Sequence, residues 1–456
     1  MKNRSSVCFT PVRSRAAFGL VFGYGVLVLA PIGAGIAWGR WPEGWPGLAT
    51  GLGIAGLAML LVQFLLSGRF RFIGACVGID RVMWFHNWAA RWLTLFLVLH
   101  PFLYFGDMLW TDPPRAFGQF IDMAASPLFA SGVIAWGLLL VIMAGALWRR
   151  RIGLDYEWWR LSHGIGAVLI ILAGLHHMWT MGGIGAGYPV ILVWIILALV
   201  AAIAALHIWL LRPLSLTHHP YMVRTVEEVG AARWILRIAP EKGGALPFRA
   251  GQFAWLTVGE TPFSIGEHPF SISSAPNNGD VVEFLIREAG DFTSHIGDIK
   301  PGARAWLDGP HGAFTLPDAD QHRDGRVVMI AGGVGLAPIL SILRDQAGKG
   351  DRRKFHLIFG NRTEAQIVMA EELQSLGRTL DLKVDMVLSE PKPGWSGATG
   401  QLSGETLDGL LSDEVTDAST LFMLCGPPMM VDVATDYLSD HGVAGKQIIV
   451  EHFDFV

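Results

Sequence analysis

The sequence predicts three parts in a row. A bundle of six membrane-spanning helices occupies residues 1–214, a small antiparallel β-barrel 215–320, and an α/β domain 321–456. Three observations predict this. The 456 residues are 52% hydrophobic and 16% charged, with mean hydropathy +0.41, against about 25% charged in soluble proteins. The long apolar runs crowd between residues 16 and 211. Beyond them, short β-type runs give way to strands alternating with helical patterns. The net charge of −4 gives no basic excess for nucleic acid. Three distant cysteines, Cys8, Cys76 and Cys425, exclude a disulfide scaffold, a Cys-bound zinc site and a Cys-ligated cluster.

Six segments are long enough to cross a bilayer core of about 30 Å: 16–39, 47–67, 82–105, 128–148, 159–181 and 188–211. The first is preceded by Lys2, Arg4, Arg13 and Arg15, but no Ala-x-Ala site follows, so it reads as a retained helix. Arg69, Arg71 and Arg81, then Arg149, Arg150, Arg151 and Arg160, then Arg212, fall on the same side as those four. Arg40 and Arg115 stand on the other. The positive-inside rule puts both termini, and everything after the sixth span, in the cytoplasm of a bacterial-type inner or plasma membrane.

Histidines at membrane depth are functional candidates by default. The third span holds His86 and His100, the fifth His163, His176 and His177. Fourteen positions at about 100° each fall about 40° short of four turns and rise about 21 Å, so His86 and His100 share a face. His163 and His177 repeat the interval. The two spans run in one direction, so His86 meets His163 in depth, and His100 meets His177 or His176. Strict helical geometry favours His177; a π-bulge would favour His176. Each level can supply both axial ligands of a haem, and two stacked b-type haems would carry electrons across the membrane. Arg91 reads equally as a propionate partner or a snorkelling side chain, and His207 as structural. Leu93 and Ile170 lie midway between the two levels.

Short strands follow: Tyr221–Val226, Arg233–Ile238, Phe253–Val258, Val281–Ile286 and Ala303–Leu307. In His268-Pro-Phe-Ser-Ile-Ser-Ser-Ala-Pro276, hydroxyls sit beside backbone N–H groups able to bond a flat heteroaromatic ring. Ile286-Arg-Glu-Ala-Gly-Asp-Phe-Thr-Ser294 offers a Gly-and-hydroxyl phosphate cradle, with Arg287 adding charge. Val327–Ala331 leads into Gly332-Gly-Val-Gly-Leu-Ala-Pro338, a strand, Gly-rich turn and helix start suited to a pyrophosphate. Phe355–Phe359, Lys383–Leu388 and Leu421–Cys425 are further parallel strands. Cys425-Gly-Pro-Pro428 ends the last at the ligand-binding edge.

These motifs, in this order and with a near-terminal Glu-x-Phe, resemble the flavin-dependent module of the ferredoxin–NADP reductase type. With the two-His spans ahead of them, residues from about 80 to 456 resemble the ferric reductase and NADPH oxidase family. The resemblance implies an NAD(P)H-dependent oxidoreductase. His268, Pro269, Phe270 and Ser271 would hold the isoalloxazine, and Ser273 and Ser274 are expected among the cofactor-binding residues with them. Arg287, Gly290, Phe292, Thr293 and Ser294 would grip the FAD pyrophosphate. Gly332, Gly333, Gly335 and Pro338 match the dinucleotide turn, and Cys425, Gly426 and Pro427 the segment beside the nicotinamide. Phe453, with Phe455 as rival, would shield the flavin. Ser271, Cys425 and Phe453 are the expected catalytic positions.

Arg362 favours NADPH over NADH by offering a 2′-phosphate a partner. Electrons would pass from NAD(P)H through FAD and two b-type haems to an acceptor across the membrane, ferric chelate or oxygen, the latter giving superoxide. The alternatives are an electron-supplying membrane component that reduces a partner protein or quinone, and a soluble-type reductase merely anchored by its helices. Membrane lipid is expected as surroundings, and nucleic acid is not expected as a partner. The outer loop 106–127 carries Asp107, Asp112 and Asp122 but no metal cage.

Overall fold

The computed structural model describes residues 11–39, 41–181, 188–277, 279–317, 325–411 and 414–452. The expected Phe453 and Phe455 positions, the 318–324 junction, Lys2, Arg4 and Arg40 lie outside them. The described residues form two compact units: one of Ala16–Phe70 with Arg81–Arg212, the other of Arg71–Asp80 with the chain from Pro213 on. The short helix Arg71–Val77, between the second and third expected spans, thus groups with the C-terminal unit.

The first unit is helical: α1 (Pro11–Ala37), α2 (Gly44–Val62), α3 (Ile79–Leu103), α4 (Ala130–Ile152), α5 (Tyr156–Met181) and α6 (Tyr188–Leu206). Five helical segments among the described residues are long and apolar enough to cross a membrane. The exception is α3. Its 25 residues suffice in length, but Asp80, Arg81, His86, Asn87 and Arg91 make it too polar to pass on composition. Glycines let the helices approach: a Cβ on Gly56 would lie 2.6 Å from Leu97 of α3, and one on Gly166 of α5 would lie 2.4 Å from Ile142 of α4. Gly153, at φ 70, turns α4 into α5. Phe18, Phe22, Val141 and Leu199 are exposed, as lipid-facing side chains are. The segment 106–127 is not a loop. It forms helices Gly106–Thr111 and Pro113–Ala125, the second capped by Asp112 accepting from the Arg115 N–H at 3.2 Å.

In the second unit β1 (Tyr221–Gly230), β2 (Arg233–Pro240), β3 (Phe253–Val258), β4 (His268–Ser271), β5 (Val282–Arg287) and β6 (Arg304–His311) make an antiparallel sheet of order β4-β3-β6-β1-β2-β5. An isolated bridge, Ile272 to Phe284, joins its two edges. Inward side chains Val223, Leu236, Ile238, Leu256 and Phe284 form its core. Then β7 (Arg326–Gly332), β8 (Lys354–Asn361), β9 (Asp381–Leu388), β10 (Ala398–Thr399), β11 (Leu421–Gly426) and β12 (Ile448–His452) form a parallel sheet, β10-β9-β8-β7-β11-β12. Alternate residues of β7 feed opposite faces. Val327, Met329 and Ala331 pack with α7 (Leu336–Lys349), while Val328 and Ile330 pack with α8 (Pro428–Asp440). That two-sided burial is why these strands read as unbroken apolar runs. The two sheets, expected as separate domains, fall in one compact unit.

Candidate functional site

In the helical unit the His86 and His163 rings face one another, centroids 6.4 Å apart and planes tilted by 56°. A metal–imidazole bond of about 2.0 Å plus about 1.1 Å to the ring centre, taken on both sides, gives about 6.2 Å. The pair therefore stands at the spacing of two imidazoles sharing one metal. Both Nδ1 atoms are buried without a hydrogen-bond partner, the kind of debt that a bound group settles.

The second pair is seated differently. His100 Nδ1 lies 2.7 Å from the Ala49 carbonyl oxygen, which leaves Nε2 for a metal, as second-shell orientation requires. A Cβ on Gly53 would come within 2.6 Å of the His100 ring, and one on Gly132 within 2.7 Å of the His177 ring. Each ring thus occupies a notch that only glycine leaves open. The helix α5 is α-helical throughout Tyr156–Met181, so no π-bulge rotates its end. His177 is half-buried, with Nδ1 buried and unpartnered, whereas His176 is exposed. Leu93 and Ile170 are both buried. Arg91 is on an exposed face. His207 stacks on Phe70 at 5.7 Å, a packing role.

In the second unit β4 presents His268, Pro269 and Phe270 half-buried beside Phe292. His268 stacks on Phe292 at 4.3 Å and 16°, with Phe270 6.1 Å from Phe292. This is an aromatic wall fit for a flat ring. Ser271 is buried at its edge. Ser273 and Ser274, expected as ring contacts, are fully buried and engaged elsewhere. Ser273 Oγ donates to Glu283 at 3.0 Å, and Ser274 Oγ accepts from the Glu283 N–H at 3.1 Å.

The expected phosphate cradle is likewise partly occupied by its own backbone. Thr293 Oγ1 accepts from the Ala289 and Gly290 N–H groups at 2.8 and 2.9 Å, and Ser294 Oγ donates to the Asp291 carbonyl. Arg287 is exposed, and its register partner across the sheet is Arg233. Arg233 is buried, with Nε lacking a partner. Sequence reading missed Arg233, because nothing in a strand's linear sequence shows which residue faces it across the ladder. Two adjacent guanidinium groups attract an anion.

At the nucleotide turn the glycines divide their labour. Gly335 packs on the Cys425 carbonyl, where a Cβ would clash at 2.1 Å. Gly332 packs on Met430 and Pro427, and Gly426 on Gly332. These three let β7 and β11 close together. Gly333, half-buried and at φ +54, has open space where a Cβ would stand. Pro338 is buried within α7. Cys425, expected among catalytic positions, is fully buried. Burial pushes its thiol well above the ordinary range, and the Glu451 and Asp80 carboxylates push it further. Pro427 precedes α8, at the edge where parallel sheets bind ligands. Arg362 is exposed and ion-paired with Glu390 at 2.9 Å.

Arg344 of α7 also escaped the sequence reading. It donates to Glu372 at 2.6 and 2.8 Å, to Glu283 at 2.6 Å and to the Ser273 carbonyl at 2.9 Å, while Ser341 Oγ donates to the Ser274 carbonyl at 2.6 Å. These bonds tie the nucleotide sheet to the segment that follows the aromatic wall. Burial raises the Glu283 carboxyl, but Arg344 and Arg237 outweigh it and hold the group below its usual range.

Residues 52–174 match the family described as ferric reductase like transmembrane component. Residues 329–436 match the oxidoreductase NAD-binding domain. Both matches lie in one chain, the transmembrane-component match ahead of the NAD-binding match. Among curated relatives, the reductase component of propane 2-monooxygenase from Mycolicibacterium goodii is 36% identical over 226 residues, 48% of this chain and 62% of that protein. One component of the Na(+)-translocating NADH-quinone reductase from Yersinia pestis is 32% identical over 168 residues, covering 36% and 40%. The chain thus spans under two thirds of these relatives' length. A solved ferredoxin NADP+ reductase from Neisseria gonorrhoeae, with bound FAD and NADP, is 23% identical, covers 51% of this chain and 97% of its own, and superposes with TM-score 0.44. Of the five candidate histidines, His86, His100 and His163 fall inside the ferric reductase-type match, and His176 and His177 lie just past its end.

Proposed function

We propose that this ferric reductase-type chain is a transmembrane NAD(P)H oxidoreductase that delivers electrons across the membrane, with FAD and two b-type haems as resident groups. The His86–His163 spacing of 6.4 Å is the observation that carries it. The residues present fit these groups. When bound, FAD would supply the exchange between hydride and single-electron chemistry, and haem would supply one-electron transfer.

In this reading His86 and His163 would hold the inner haem, and His100 and His177 the outer. Gly53 and Gly132 back the outer rings, and the Ala49 carbonyl orients His100. The helix α3 would be the sixth span. His268, Phe270 and Phe292 would wall the flavin ring, Arg233 and Arg287 would answer its pyrophosphate, and Gly333 would give the nucleotide its backbone approach. The β1–β6 sheet closes as a barrel, and the reductase unit faces the cytoplasm.

Ferric chelate or oxygen is the acceptor on the first reading. The relatives favour a second. One is named as a reductase component and the other as part of a quinone reductase, so a partner protein or quinone is the rival acceptor. Anaerobic spectra of the detergent-purified protein with FAD test the core of the proposal. NADH or NADPH should raise a reduced b-type band near roughly 560 nm, with about two haems per chain. Flavin bleaching without a haem band would reduce the helices to an anchor.

A further inference from the structure

The choice between NADH and NADPH rests on the reading above that the parallel sheet takes a nicotinamide dinucleotide. In such sheets the ribose lies past the end of the strand after the Gly-rich turn. An acidic side chain there accepts from the 2′-hydroxyl, whereas an Arg answers a 2′-phosphate. Here that strand is β8, and both side-chain types are present.

Asn361 at the end of β8 stands in register with Leu388 of β9. The pairing continues beyond both strands: the Ser389 N–H donates to the Asn361 carbonyl at 3.1 Å, and the Glu390 N–H to the Arg362 carbonyl at 2.8 Å. That backbone bond places the two side chains together, and Arg362 Nε donates to Glu390 Oε2 at 2.9 Å. The side chains are 66% and 57% exposed, so a ligand can reach either. Arg362, the cation a 2′-phosphate would need, is already neutralised by a carboxylate that its own backbone anchors. A phosphate arriving there meets Glu390 as a like charge, while a 2′-hydroxyl meets it as an acceptor.

We infer that Glu390 is the specificity-determining residue of this site and that the chain selects NADH over NADPH. The test uses the full-length protein in detergent with FAD. Binding of NAD+ and NADP+ is measured by calorimetry, and oxidation of NADH and NADPH is followed in parallel. Wild type should prefer the forms without the 2′-phosphate. Glu390→Gln should raise NADP+ affinity relative to NAD+ on the order of tenfold, less at high salt. Adding Arg362→Ala should abolish that gain. A wild type that prefers NADPH, or an unchanged ratio in Glu390→Gln, overturns the inference. Binding of neither nucleotide would instead overturn the parent reading, and this one with it.

Discussion

The paired histidines of the helical unit and the Glu283 network of the reductase unit treat buried polar groups in opposite ways. In the helical unit the Nδ1 atoms of His86, His163 and His177 are buried without partners. In the reductase unit the buried Glu283 carboxylate is answered by Arg344, Arg237 and Ser273. A buried polar group left unsatisfied costs about 1–3 kcal/mol. On the proposed reading the first pattern belongs to candidate ligand rings, and the second to a network already closed around Glu283. The seryl hydroxyls after the aromatic wall belong to the second kind, although in sequence they resemble the first.

If this contrast is right, the largest effect follows loss of an inner ligand. His163→Ala should remove one of the two haem spectral contributions. It should cut electron delivery by more than the roughly 10–100-fold typical of second-shell losses, as read by pyridine haemochrome and acceptor reduction. Arg344→Met strikes the satisfied network instead. It strands Glu283 and should cost about 3–5 kcal/mol in the reductase unit, read by denaturant unfolding of the full chain, with haem content retained. Haem lost in parallel would break the division between the units.

Gly53→Ala drives a methyl into the His100 ring and should cost about 1–3 kcal/mol while shifting the outer haem's potential. Gly137→Ala, with nothing within 4 Å, is its neutral control. The pH dependence sharpens the same contrast. Glu283 is held below its reference value of 4.5, so its stabilisation is fully present above that value and fades as pH falls through the folded pKa. Acid should loosen the reductase unit, and Glu283→Gln should flatten that slope. The smallest effect belongs to His176→Ala, whose exposed ring predicts an unaltered haem spectrum; loss of a haem there would reverse the ligand assignment.

Periodicity made the five apolar spans, the parallel strands and the depth-matched His levels legible, because each is a local property repeated along the chain. The choice of His177 was half-legible: helical geometry favoured it, and the regular α5 removed the bulge that would have favoured His176. Ser273, Ser274, Thr293 and Ser294 carry hydroxyls suited to ligand binding, and a linear motif does not show the intrachain bonds that each of them makes. Arg344 left no motif, since a single Arg on an amphipathic helix looks like any solvated cation until Glu283 and Glu372 close around it.

By itself, the sequence determined the class of the molecule: an apolar helical part bearing paired histidines, then a sheet-based part with a flavin-type motif and a Gly-rich turn. Burial periodicity and backbone freedom are encoded residue by residue. Tertiary structure alone decided which polar atoms remained available. It set the 6.4 Å between His86 and His163, buried the Cys425 thiol, and brought Glu390 onto Arg362 through a β-ladder joining residues 28 positions apart. Whether a polar atom is free depends on distances between segments remote in sequence, and those exist only once the chain has folded.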